Sequence, residues 1–164
     1  MDQKTLKELL HYDPETGTFT WKVSRSSRHR AGDIAGCTTQ AGYKSIGILG
    51  KEYLAHRLAW LYVHGEFPKD KIDHRNGVKS DNWIDNIRVA TKSQNGMNRG
   101  SQNGSFSKFK GVGWHKGARK WRAYIQSDGI PVHLGLFTDE VAAARAYNEA
   151  AIRLHGEFAL LNAA

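Results

Sequence analysis

The sequence predicts an α+β chain made of two modules, and three observations predict it. Apolar residues recur at helical spacing in the stretches 1–12, 55–64 and 138–155. Short runs of alternating polarity, bounded by Gly, Asn and Asp, lie around them and read as small antiparallel strands. A Gly-, Ser- and Asn-rich stretch, 100–107, reads as a flexible linker between a first module over 1–99 and a second over 108–164. The 164 residues allow one ordinary domain or two small ones.

Residues 1–12 place Leu6, Leu9 and Leu10 on one helical side. Asp13-Pro14-Glu15-Thr16-Gly17 is a turn, and Thr18 to Val23 alternates as a strand. Ser24 to Arg30 is a basic, Ser-rich loop in which Arg25, Arg28, His29 and Arg30 suit phosphate or plain solvent exposure equally. Gly42 to Ile48 and Lys51 to Leu54 flank Leu49-Gly50 as a hairpin. Ala55 to His64 is an amphipathic helix with Leu58, Leu61 and Tyr62 on one side, ended by Gly65 and kept from restarting by Pro68. His56 and His64 lie on roughly one face of it and read as structural, since no third ligand is identifiable. Ile72-Asp73-His74 is a strand that turns back at Asn76-Gly77, Ile87 to Ala90 is its return, and Thr91 caps a short helix that contains Asn95.

The second module reads as three strands and a helix. Lys110 to His115 and Lys120 to Gln126 flank a turn at Lys116 to Arg119; after Asp128-Gly129, Pro131 to Phe137 gives the third strand. In the middle strand Trp121, Ala123 and Ile125 alternate with Arg122, Tyr124 and Gln126. Thr138 is the expected cap of a helix with Asp139 and Glu140 in its first turn, stopped by Gly156. Its many alanines let it lie close to a sheet. A unit of about 55 residues is marginal in stability by itself.

The net charge is +8 and the isoelectric point near 9.7. Arg99 to Arg122 holds seven basic residues and no acidic one, with Trp interleaved, which suits a polyanion such as DNA or simply a solvated surface. The single cysteine, Cys37, excludes a disulfide framework and a Cys-rich zinc site. No run approaches about 18 apolar residues, so no membrane helix is expected. Met1-Asp2-Gln3-Lys4 lacks a signal-peptide core, and a cytoplasmic protein is the simplest expectation.

Four polar side chains stand out in the first module. Asp73 and His74 are adjacent, Asn86 follows twelve residues later, and Asn95 nine after that. An Asp-His pair alone is an ordinary surface turn; the joint spacing, the Asn-Gly turn and the pattern Asp-Asn, four residues, Ile-Arg-Val-Ala-Thr set this one apart. Over residues 42–99 the chain resembles the HNH endonucleases, the ββα-metal nucleases, in the variant with Asn in place of the last His. The resemblance implies that His74 is the general base, and that Asp73 and Asn95 hold one divalent ion, Mg²⁺ or Mn²⁺. It also implies that Asn86 pins the loop and orients His74. The residue types suit the chemistry. A neutral imidazole accepts a proton near neutral pH, and a carboxylate with an amide oxygen leaves most of an octahedral shell to water and phosphate. Tyr-Leu-Ala-His-Arg-Leu-Ala-Trp, 53–60, is similar to the lead-in of phage members of the family.

Residues 108–162 resemble the plant ethylene-response-factor (ERF, apetala-type) DNA-binding domain. The matching residues are Lys-Gly-Val at 110–112, Lys-Trp-Arg-Ala-Tyr-Ile at 120–125, Leu-Gly-Leu-Phe at 134–137, Ala-Ala-Arg-Ala-Tyr-Asn at 143–148 and Leu-Leu-Asn at 160–162. The resemblance implies a sheet laid in the DNA major groove. Its DNA-facing set is Lys110, Gly113, His115, Trp121, Arg122, Tyr124, Gln126 and His133, to which Trp114, Arg119 and Lys120 add from the basic run. Gly113, His115 and Gln126 stand where the plant pattern usually has Arg, and Tyr124 and His133 where it has Glu and Trp. Trp121 suits core and DNA contact equally. The expectation is a metal-dependent endonuclease on double-stranded DNA, of the phage homing type, monomeric for want of a dimerisation stripe. The alternative is a DNA-binding or regulatory protein that does not cut; RNA cleavage is a third, less favoured by the duplex-reading module.

Overall fold

The computed structural model describes residues 1–24, 29–100, 105–127 and 129–164. Arg25 and Arg28 of the basic loop, half of the linker (101–104) and Asp128 lie outside the described residues. The α+β class holds, and the chain divides into two compact units, Met1–Ala90 and Thr91–Ala164.

In the first unit, α1 (Gln3–Leu9) stops before the expected helix end, and Leu10 instead opens β1 (Leu10–Asp13). Local spacing suits a helix through Leu10, but Leu10 pairs with Trp21 of β2 (Thr18–Trp21), and that pairing buries both. The turn between these strands is fixed by Asp13, whose carboxylate accepts from the Glu15 amide at 3.0 Å and the Thr16 hydroxyl at 2.8 Å. A second sheet runs β3 (Cys37–Thr38), β4 (Lys44–Ile48), β5 (Lys51–Leu54) in order, all antiparallel. Helix α2 (Ala55–His64) follows and ends on Gly65 at φ 85°, whose amide caps the Leu61 carbonyl. The expected shared face of its histidines does not form: His56 is buried and His64 exposed, its ring tilted against that of Trp60 with centroids 4.0 Å apart. Eight residues overshoot two turns by about 80°, enough to part them. Strands β6 (Lys71–His74) and β7 (Ile87–Ala90) pair with Asp73 opposite Arg88 and His74 opposite Ile87. The core gathers Leu6, Leu10, Tyr12, Phe19, Ile46, Ile48, Leu58 and Leu61 from these elements; each such side chain contributes roughly 1.5–3 kcal/mol on burial.

The second unit begins with α3 (Lys92–Met97), capped by Thr91 in a full capping box with Gln94. Its sheet has the order β10 (Ile130–Phe137), β9 (Lys120–Ser127), β8 (Val112–His115), and α4 (Glu140–His155) packs on it. The α4 cap is Asp139 rather than Thr138: the Asp139 carboxylate accepts from the Ala142 amide at 2.8 Å. Carboxylate at an N-terminus also meets the helix dipole. Ala143, Ala144, Ala150 and Ala151 bring α4 close to Ala123 and Ile125. The C-terminal tail is stitched back by Asn162, whose side chain accepts from the Lys110 amide at 2.8 Å and donates to the Lys110 carbonyl at 3.1 Å. Gly111, at φ 72°, lies under the Tyr147 ring; a Cβ there would stand 2.1 Å from Tyr147 Cδ2. Gly111→Ala is therefore expected to cost this unit on the order of 2–3 kcal/mol in thermal unfolding, through strain and overpacking together.

Candidate active site

Strand β6 buries three residues in succession, Ile72, Asp73 and His74, so both of its faces are covered. Successive side chains point to opposite faces, and two polar groups thus go inward on different sides. A buried polar group needs a partner. Asp73 finds its partner directly across the ladder: Arg88 Nη2 and Nε both donate to Asp73 Oδ2, at 2.8 and 3.0 Å. His74 Nε2 lies 3.0 Å from Oδ1 of Asn82, a side chain the sequence reading did not single out.

Asn86 is buried at the end of a 3₁₀ turn just before β7 and holds the loop between the strands. Its Oδ1 accepts from the Asn76 amide at 3.1 Å; its Nδ2 donates to the Asp81 carbonyl at 2.7 Å and to Asn76 Oδ1 at 3.0 Å. The side chain bonded to His74 is Asn82, four residues earlier. Three asparagines crowd this loop, and nothing in their spacing says which one reaches the imidazole. Asn95 sits in α3 of the second unit, half-buried, its amide donating to the Thr91 carbonyl at 3.0 Å.

The His74 ring is packed by two other rings. His56, from α2, meets it edge-on with centroids 5.2 Å apart, and Tyr43 lies 6.2 Å away. His56 Nδ1 is buried with no hydrogen-bond partner. Burial above all, then the charges of His74 and Arg57, pushes its pKa down to about 3. Among the described residues, no three His, Cys, Asp or Glu side chains gather as a metal cluster.

In the second unit, cross-strand partners share a face. Gly113 pairs with Arg122, His115 with Lys120 and His133 with Tyr124, which collects His115, Lys120, Arg122, Tyr124, Gln126 and His133 on the side away from α4. The Arg122 guanidinium lies 5.1 Å from the Tyr124 ring centre. Trp114 pairs with Trp121 on the opposite side, rings 5.2 Å apart, and Trp121 packs on the core. Arg119 is exposed in the turn, in left-handed conformation at φ 51°. Lys110 points inward, its ammonium donating to the Met97 carbonyl, and burial lowers its pKa to about 8.

The neutral, buried His56 carries a pH prediction. Its folded pKa lies below the unfolded value of about 6.5, so the unfolded chain binds the proton first and acid favours unfolding. Stability is expected to fall as pH drops from 6.5 toward 3, approaching about 1.4 kcal/mol per pH unit from this group. His56→Phe should flatten that limb in thermal melts between pH 6.5 and 5.

Comparison with known proteins finds a family match over part of the chain. The family model described as "HNH endonuclease" matches residues 53–97. An "Uncharacterized HNH endonuclease L560" of Acanthamoeba polyphaga mimivirus is 31% identical over 129 residues, which is 75% of this chain and 64% of the relative. "APETALA2-like protein 2" of Oryza sativa subsp. indica is 42% identical over 85 residues, 49% of this chain and 18% of the relative. The chain thus spans less than two thirds of either relative. A solved structure titled "DNA binding and cleavage by the HNH homing endonuclease I-HmuI" aligns over 94% of this chain and 90% of its own at 20% identity, with a TM-score of 0.45, too low to define a shared fold. Asp73, His74, Asn86 and Asn95 all fall inside the segment that matches the HNH endonuclease family model.

Proposed function

We propose that the protein is a metal-dependent DNA endonuclease that hydrolyses phosphodiester bonds in duplex DNA, with His74 as the general base. The observation that carries this reading is His74 itself: a buried imidazole at the end of β6, oriented by Asn82 and walled by His56, inside the HNH-matched segment. A general base works only if its lone pair is aimed, and a buried, hydrogen-bonded ring is aimed. Asn86 holds the loop that closes this strand pair.

Asp73 is the residue of the first unit that would hold a divalent ion, Mg²⁺ or Mn²⁺, and Asn95 is the second donor that the family resemblance implies. One carboxylate and one amide oxygen fit a hard cation that keeps most of its water. When bound, such an ion supplies Lewis-acid stabilisation of the phosphate and the leaving oxygen. The Arg88 guanidinium on Asp73 Oδ2 sets the terms: a cation there shares the carboxylate with Arg88. The same pair favours the second reading, a DNA-binding protein that does not cut, in which Asp73 is a structural counter-ion and no divalent metal is needed.

The sheet of the second unit is proposed to grip the duplex, with His115, Lys120, Arg122, Tyr124, Gln126 and His133 toward DNA. The rice relative supports an ERF-like character for this module, joined through 100–107 to a nuclease over 1–99. The virus-borne relative supports a viral source, and the reading extends to a phage-type mobile element acting inside the host cell. A tethered binding module raises the local concentration of DNA at the cutting site.

Supercoiled plasmid incubated with the protein, with and without Mg²⁺, separates the two readings in a single gel. Cleavage that requires the ion is expected; binding without cleavage in Mg²⁺ or Mn²⁺ favours the non-cutting reading. His74→Ala is expected to lower cleavage by about 10²–10⁴-fold with DNA affinity near wild type, and wild-type cutting by that variant removes the base assignment. Arg122→Ala should weaken binding and reduce the salt slope by about one; an unchanged slope counts against that contact.

A further inference from the structure

We infer that Lys79 grips a phosphate of the DNA strand close to the one that is cut, and that Tyr43 and the turn 39–43 set its place. The inference rests on the reading of His74 as the place of cleavage. His74 and His56 are each 5% exposed. Tyr43 packs on both, its ring centre 6.2 Å from that of His74 and 5.4 Å from that of His56. Unlike them it is only half-buried, so it leads from the imidazole toward the surface. Against the same ring lies the ammonium of Lys79, an exposed residue, 5.0 Å from the ring centre. Lys79 Nζ therefore stands at most about 11 Å from the centre of the imidazole. Phosphates succeed one another at about 3.4 Å of rise along a strand, so that reach covers the cut phosphate's neighbours to about three nucleotides.

Lys79 is held in advance. Its ammonium donates to the Ala41 carbonyl at 3.0 Å, across thirty-eight positions of sequence. Its stem runs past Gly42, where a Cβ would stand 3.9 Å from Lys79 Cδ. The turn that receives it is closed on itself. The Thr39 amide donates to the Tyr43 carbonyl at 2.8 Å, the Gly42 amide to the Thr39 carbonyl at 2.9 Å and the Tyr43 amide to Thr39 Oγ1 at 3.2 Å. The turn that carries Lys79 is fixed too. The Asn76 side chain accepts from the Val78 amide at 2.9 Å and donates to the Asp81 carboxylate at 2.8 Å. Asp81, the nearest acid in sequence, is thus engaged by Asn76 and by the Ser80 hydroxyl at 3.2 Å rather than by Lys79. An ammonium carries three N–H donors; one goes to Ala41 and the rest can turn to a phosphate oxygen. A lysine already fastened at both stem and head loses less side-chain freedom when it meets that oxygen. Lys79 is a substrate-positioning residue and takes no part in proton transfer.

The test uses the full chain and a short duplex built around a cleavage position mapped on plasmid DNA in Mg²⁺. Lys79→Gln should raise KM about three- to tenfold and leave kcat within about twofold, the mark of a contact made equally before and during the reaction. The salt slope of DNA affinity should fall by about one. Uncharged methylphosphonates then replace, one at a time, the phosphates up to about three nucleotides either side of the cut. At one of these positions the substitution should weaken cleavage by the wild type about three- to tenfold and cleavage by Lys79→Gln not at all. Lys79→Arg, which keeps a charge, should respond as the wild type does. Losses that add at every position overturn the inference and leave Lys79 as a tie between two turns, and an unchanged salt slope overturns it as well; in both cases a wild type that cuts keeps the nuclease reading. A wild type that cuts no DNA in Mg²⁺ or Mn²⁺ overturns the nuclease reading, and the inference falls with it.

Discussion

The first unit turns on two adjacent polar side chains buried on opposite faces of one short strand. Asp73 and His74 are both withdrawn from water, and desolvation forces a partner on each. Asp73 takes Arg88 across the ladder, a pair whose charge-assisted bonds offset the burial of both ions. His74 takes Asn82. Neither solution is local. One needs the antiparallel register of β6 and β7; the other needs a loop folded back and held.

The surroundings of His74 follow from that need. Asn86 closes the loop from one end with three hydrogen bonds, and the N-terminal hairpin closes it from the other through Tyr12 and Gly17. Helix α2 supplies His56, kept neutral by burial, as an uncharged wall against the imidazole. A cation in that place would repel an imidazolium forming on His74; a neutral ring does not. The core of this unit therefore both stabilises the fold and sets the orientation of the His74 imidazole, so changes distant in sequence reach it.

The second unit solves a different problem, that of building a stable sheet from few residues. Alanines on α4 and Gly111 beneath Tyr147 bring helix and sheet together, and Asn162 ties the tail to the start of the sheet. The alternation of β9 then sorts its side chains: Ala123 and Ile125 inward, Arg122, Tyr124 and Gln126 outward. Trp121 falls on the inner side because its strand position shares parity with Ala123, and Trp114 follows it through cross-strand pairing. Lys110, basic by sequence, spends its charge on a backbone carbonyl within the unit.

Local rules determined much from the sequence alone. Periodicity and turn residues marked the hairpin around Gly50, the turn at Asp13 to Gly17, the helices α2 and α4, the three strands of the second unit, and the cap of α3 at Thr91. These features depend on contacts within a few residues, which is why a linear reading reaches them. The same reading placed Asp73, His74, Asn86 and Asn95 by spacing and family resemblance. What it did not reach was decided by pairing between distant positions. Leu10 leaves its helix because Trp21 waits across a turn. Among Asn76, Asn82 and Asn86, tertiary structure alone selected Asn82 for His74, since a hydrogen bond is won by distance and direction, and a hairpin some seventy residues upstream sets both.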